Sequence, residues 1–543
     1  MSAPTLPLSS DTLRLAIPDR QTGLDFLSRL PLANPAKSET LLSQFFESLL
    51  STPPQALAYL NLLEQSRVPL CFVEGEQSRI FANKPLPLGD ADEQVFRRVV
   101  TMWRTVTRAY SHCAQLDADT EDPEHRLRVA LILHRCIYYT GMIIVEHFRA
   151  RRELPTGIWF DLHGYYATAE EWGVATQPVA DPLDPAGRPT HCAAAFATIL
   201  LLDLAGPYSL SVKDQEIVFR WATQWAPLVS IHAIAPGESL PPFSVDLMQD
   251  AGLKAAAEIL NKAQVRRIDT SRLAMVLTQA RQQLQQKFNP SQIGLGNDCA
   301  APVCKRLLEH LSRPWTQVRS ARKFRRQAMS GIAHVGSGFE EMHFLVSGKE
   351  FSQPETMQMY SRADFDTLFV FRHQDDPTAK LQYQQSARLP KPDDWEVVDQ
   401  SAAGFRIVRS AAGNRVAHSQ LLAVCPPDGS RYFFAQVTWL MQDRAGGLVV
   451  GIASLPGTPQ AIAIRRLSAH TGKTELYTQA FMMPAIEAMR APQTLVLPPG
   501  WFQPSRVIEV HADNQSIRCR LDFLVQDGPD FERVSYSVEE ASI

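Results

Sequence analysis

A long uncharged apolar run is the first thing this sequence lacks. Its most apolar stretch, "VALILHRCIYYTGMIIVEHF" (129–148), is broken by His134, Arg135 and Glu146. A bilayer span keeps about 20 residues nearly free of charge, so a core helix is the expectation here. The opening "MSAPTLPLSSDTLRLAIPDR" has no basic region followed by an apolar core, and no secretory leader is expected. Charge of one sign is not in excess either. Fifty-four Lys and Arg against 57 Asp and Glu leave a net charge of -3, so no global field recruits nucleic acid or an acidic membrane. Any affinity for anions must come from a local cluster. Cysteine is sparse: eight residues, at 71, 113, 136, 192, 299, 304, 425 and 519, without the spacing of a disulfide framework. Reduced thiols in a cytosolic protein are the expectation. Cys299 and Cys304 form the only close pair, and no second pair is near to complete a zinc site, so no metal is expected.

Catalytic signatures are missing too. There is no GxSxG, no P-loop and no metal-binding acid cluster. Ser320-Ala-Arg-Lys323 matches SxxK without companion motifs. "GLGND" (294–298) is a lone GxG outside a strand-glycine-helix setting. No catalytic residue is assigned, and the chain is expected not to be an enzyme.

What remains is an ordinary composition, 45% hydrophobic and 20% charged, on a chain too long for one core. Roughly 100–200 residues per domain allow three or four units. The first half reads as helices. In 93–116, Phe96, Val99, Trp103, Val106, Tyr110 and Cys113 recur at three- and four-residue steps. Residues 124–152 are apolar almost all round and should be buried. Residues 155–174 start after a proline and stop at a glycine, and further helices are expected at 190–205, 213–226, 246–261 and 269–287. His125, His134, His147, His163 and His191 lie in this half without ligand spacing and read as packed side chains. From about residue 330 short alternating runs take over, punctuated by turn clusters such as "PPDGS" and "DRAGG", which indicates antiparallel barrels or sandwiches.

Positive charge concentrates at the junction, "CKRLLEHLSRPWTQVRSARKFRRQ" (304–327), where eight Lys and Arg face one acid, Glu309. Arginine's planar fork grips phosphate or the Hoogsteen edge of guanine and its face stacks on a base. A solvated basic face, a nucleic-acid patch and an anion pocket all fit such a run. The pocket needs a complement, and "DQSAAG" (399–404) supplies one. On an extended strand Asp399 and Ser401 share a face: a carboxylate to accept from a guanine, a hydroxyl beside it, and Gly404 where a Cβ would collide. Alone, the hexapeptide reads better as a β-turn whose Asp and Ser serve local backbone NH groups.

Arg322 and Arg326 form RxxxR, and Asp399, Ser401 and Gly404 form DxSxxG. Followed by "FRIV", "LLAVC", "AQVTW" and "LVVGI", the pair resembles the two-part signature of the PilZ domain, the bacterial receptor module for cyclic di-GMP. The likeness covers roughly residues 315–460. Seventy-three positions separate Arg326 from Asp399, more than is usual in the family; either the barrel carries an insertion within 347–394, or the arginine pair is a different one, with Arg319 and Arg388 the alternatives. The resemblance implies cyclic di-GMP as the ligand, held by Arg322, Arg326, Asp399, Ser401 and Gly404 with Arg319 and Arg325 nearby. It also implies a bacterial, cytoplasmic signalling protein without nucleic-acid polymer or membrane span. The expected fold is α+β multidomain: an all-α N-terminal half (1–310; helical bundle or α-solenoid-like), a PilZ-like antiparallel β-barrel with linker and insertion (311–460), and a second small β domain (461–543). Ligand binding would reorient the helical domain, through which a protein partner would dock. The alternative is a degenerate PilZ-like scaffold that binds no nucleotide.

Overall fold

The structure, a computed structural model, describes residues 17–117, 122, 124–184, 186–234, 243–255, 264–316, 326–354, 391–467 and 475–539. It divides into two compact units: residues 1–322 with 441–445, and residues 323–440 with 446–543.

The described helices of the first unit are α1 (Arg20–Ser28), α2 (Pro35–Ser51), α3 (Ala56–Phe81), α4 (Asp90–Leu116), α5 (His125–Arg149), α6 (Ile158–Glu171), α7 (Cys192–Leu204), α8 (Val212–Trp225), α9 (Ser271–Gln285) and α10 (Ala301–Trp315). Local chemistry starts several of them. Asn34 accepts from the Lys37 N–H ahead of Pro35, and Ser211 accepts from the Asp214 N–H, each satisfying an N–H that the first helical turn leaves unpaired. The stripe read in 93–116 is the buried face of α4, where Trp103 and Tyr110 both stack on Tyr139 of α5 at 5.6 and 5.7 Å between ring centres.

Helix α5 is long and apolar enough to cross a membrane by length and composition, yet 78% of its apolar window is buried among neighbouring helices. Its charged residues are paired inside the unit. Arg135 donates to both Glu64 oxygens, at 2.9 and 2.8 Å, and to the Ala180 carbonyl at 2.8 Å. That explains how a core helix carries an arginine: buried charge persists only when paired and hydrogen-bonded. Burial pushes His134 down to about 3, and His147 and His163 down to about 4, so all three are neutral packing residues, as expected from their spacing. Among the described residues no group of three His, Cys, Asp or Glu could hold a metal ion.

Two expectations need correcting. Residues 246–261 were read as a helix, but the described part of that segment contributes to a four-stranded antiparallel sheet, ordered β1 (Ser230–Ala233), β4 (Val265–Asp269), β2 (Phe243–Asp246) and β3 (Lys254–Ala255). Ser244 and its neighbours in β2 are held by the ladder that pairs Ser244 with Arg267; residues 256–261 of the expected helix lie outside the described residues. Cys299 and Cys304, expected as thiols, are joined as a disulfide, their Cα atoms 6.1 Å apart and within reach of one another; the other six cysteines are free.

The second unit holds two closed barrels. In the first, β6 (Ile332–Ser337), β9 (Leu421–Cys425), β10 (Phe433–Gln442), β11 (Leu448–Ser454), β8 (Gly404–Arg409) and β7 (Asp393–Ser401) run in that order, and β7 pairs back with β6; the short β5 (Gln327–Ala328) extends β7. The second runs β12 (Gln460–Arg466), β13 (Thr478–Met483), β14 (Thr494–Leu497), β17 (Glu532–Val538), β16 (Gln515–Asp527) and β15 (Val507–Ala512) before returning to β12. Closure leaves no long unpaired edge in either. Helix α11 (Phe339–Ser347) and both barrels share an apolar cluster: Met342, Leu421, Ala423 and Phe434 pack with Phe481, Met483, Val496 and Phe531.

Candidate functional site

The hexapeptide is the hairpin between β7 and β8. Ser401 pairs with Gly404 and the turn is Ala402-Ala403, so register alone sets Gln400 opposite Phe405 and Asp399 opposite Arg406. A bulge between Val397 and Asp399 shifts the ladder there, and such a shift re-aims the following side chain. Ile407, Val450 and Ile452 fill the barrel interior, so Arg406 points outward, and its cross-strand neighbour Asp399 lies on the same face.

Gly404 is required by space. A Cβ at this position would overlap the carbonyl oxygen of Ile452 on the neighbouring β11. The collision anticipated from sequence is therefore with backbone. Ser401 serves the turn: its hydroxyl donates to the Gly404 carbonyl and accepts from the Ala403 N–H, both at 3.3 Å.

Asp399 is where the distant arginine arrives. Arg326, the residue before β5, donates from Nη1 to Asp399 Oδ1 at 3.1 Å, across seventy-three positions of sequence. Arg406 Nε lies 2.9 Å from Asp399 Oδ2. One nearly buried carboxylate is thus held between two guanidinium groups, each with more than a third of its side chain open to solvent. Of the residues expected at the site, the structure unites Arg326, Asp399, Ser401 and Gly404. Arg319, Arg322, Arg325 and the alternative Arg388 lie outside the described residues.

Two contributors escaped the sequence reading. Arg406 could have been found by folding the hairpin on paper about Ala402-Ala403, which sets 399 against 406. Trp439 could not. Its indole fills the space above Gly451, where any Cβ would collide with it, and Gly451 is the β11 partner of Arg406. The outer face therefore presents an aromatic plane, a guanidinium, a carboxylate and a second guanidinium in sequence. Such a row can stack a planar base, accept from its ring NH groups and meet an anion.

A closed six-stranded barrel approached by an arginine, with DxSxxG at one of its hairpins, is the arrangement expected of a PilZ-type module, and the chain contains a PilZ domain. Residues 242–386 match the family model described as the middle PilZ domain of the cyclic-di-GMP receptor FimW. Residues 21–237 match that receptor's N-terminal domain, and residues 462–538 its C-terminal beta-barrel domain. The middle match begins upstream of residue 311, so the likeness is not confined to the C-terminal half, and it ends before the Asp399 hairpin.

The particular relative is the cyclic-di-GMP receptor FimW of Pseudomonas aeruginosa, 22% identical over 559 residues that take in 95% of this chain and 90% of the relative. No solved structure was found to match the chain.

Proposed function

We propose that this protein is a cyclic di-GMP-binding effector rather than an enzyme. The observation that carries the reading is the Asp399 carboxylate held at 3.1 and 2.9 Å by Arg326 and Arg406 on the outer face of the barrel. The three consecutive matches to the domains of a cyclic-di-GMP receptor support it. In the free protein the two cations share the single negative charge of Asp399. A bound dinucleotide would replace that arrangement, its phosphate taking the guanidinium groups and its guanine taking the carboxylate. Arg322, four positions before Arg326 in the RxxxR pattern, would supply a further cation, with Arg319 and Arg325 in reserve.

The arginine segment lies in sequence between the helical residues and the barrel, so engaging it on a ligand would alter what the helical domain presents to a protein partner. The messenger is cytoplasmic in bacteria, and the protein is assigned there with it.

Calorimetric titration of cyclic di-GMP into the full chain tests the reading: saturable binding, weakened at least tenfold in Arg326→Ala and in Asp399→Ala, is expected. Silence in the wild-type chain would leave the alternative, a PilZ-like scaffold that has lost its nucleotide.

A further inference from the structure

A second polar site lies wholly within the helical unit. Helices α4, α5 and α6 and the residues leading into α6 enclose a cleft of about 450 Å³, within the range of pockets that hold small molecules. Arg104 and Arg108, one turn apart on α4, line it side by side. Among the described residues neither guanidinium makes a hydrogen bond or an ion pair, whereas the other α4 arginines, Arg97 and Arg98, are bound by Glu93 and Glu39. Thr140 of α5, 2% exposed, also lines the cleft. The Ser111–Tyr165 hydroxyl pair, 3.0 Å apart, lines the same space, and Asp161 stands with them.

Two guanidinium groups on one helix face, of which Arg104 is attracted by Asp161 in the same cleft, and hydroxyls beside them suit a ligand with an anionic end and a hydroxylated body. We propose that this cleft binds a small phosphate ester, its phosphate gripped by Arg104 and Arg108 and its hydroxyl groups met by Thr140, Ser111, Tyr165 and Asp161. Arginine pairs take phosphate bidentately, which a lone surface cation does not. The site is independent of the barrel and of the proposal made for it.

Ribose 5-phosphate is the probe, titrated into the full chain by calorimetry at fixed ionic strength. The expected result is a saturable site that is at least tenfold weaker in Arg104→Gln/Arg108→Gln and unchanged in Arg326→Ala. Thr140→Val, of matching shape, is expected to weaken it about tenfold, the loss of a hydrogen bond to a polar ligand, with the melting temperature retained. Undiminished affinity in the double variant, weakening confined to Arg326→Ala, or no saturable uptake by the wild-type chain would each overturn the assignment.

Discussion

Arg406 Nε lies 2.9 Å from Asp399 Oδ2, directly across the β7–β8 ladder, and Arg326 closes on the other oxygen of the same carboxylate. Asp399 therefore has two roles in the proposed mechanism: it holds the arginines ready in the free protein and would release them to the ligand.

Removing Arg406 takes away one of those cations without touching the barrel interior. Arg406→Ala is expected to weaken cyclic di-GMP binding about tenfold, consistent with ~1–3 kcal/mol for a good guanidinium contact. Calorimetry beside a circular-dichroism melt separates lost binding from lost fold. Arg406→Lys should recover only part of the affinity, because lysine lacks the fork.

Gly404 tests the hairpin itself. Gly404→Ala drives a methyl into the Ile452 carbonyl on β11, an overlap that backbone relieves only by moving. A loss of ~2–4 kcal/mol in the second unit's unfolding free energy is expected from denaturant titration. A neutral result would show that β8 and β11 are further apart than described.

Trp439 offers an optical readout. If a base settles on the face shared by Trp439 and Arg406, its stacking alters the indole environment. The protein's tryptophan emission should then change saturably with cyclic di-GMP, and Trp439→Phe should abolish that change.

A pH dependence follows from Asp530. Its Oδ1 accepts from the Leu421 N–H at 3.0 Å, linking the β16–β17 turn to the first barrel. Burial pushes its carboxyl up from 3.8 to about 6. A carboxyl raised on folding favours the protonated native state. Its stabilisation is complete below the unfolded value, is lost as pH rises through about 6, and is gone above that. The gap corresponds to about 3 kcal/mol. Asp530→Asn, which keeps the acceptor and cannot ionise, should flatten the melting temperature between pH 4 and 7.

Glu74 makes the same argument in the helical unit. It is fully buried and neither carboxylate oxygen has a partner, so burial holds its pKa well above the ordinary value. At neutral pH the unfolded chain ionises this group and the folded chain resists doing so, which favours unfolding. Glu74→Gln removes that linkage and is expected to raise the melting temperature of the full chain at pH 7 by several degrees, corresponding to ~1–2 kcal/mol. The gain should disappear near pH 4.

Legibility varied with the range of the interaction. The α4 stripe, the buried α5 and the change to β texture near residue 330 were readable because periodicity and turn residues are local properties. The described part of 246–261 misled because local helix propensity does not count the partners that hold β2 from elsewhere. The Cys299–Cys304 bond was missed for a related reason: spacing set the residues close without settling whether the sulfurs meet.

At the site, composition and motif alone determined which residue types matter: an arginine-rich junction, an acid and a hydroxyl on one strand, and a glycine that must stay bare. Only the tertiary structure decided that Arg326 spans seventy-three positions to reach Asp399, that Arg406 takes its other oxygen, and that Trp439 lies over Gly451 beside them. Local sequence biases backbone and turn, whereas which side chains share a face across separate strands is set by barrel closure and register, and those are properties of the whole fold.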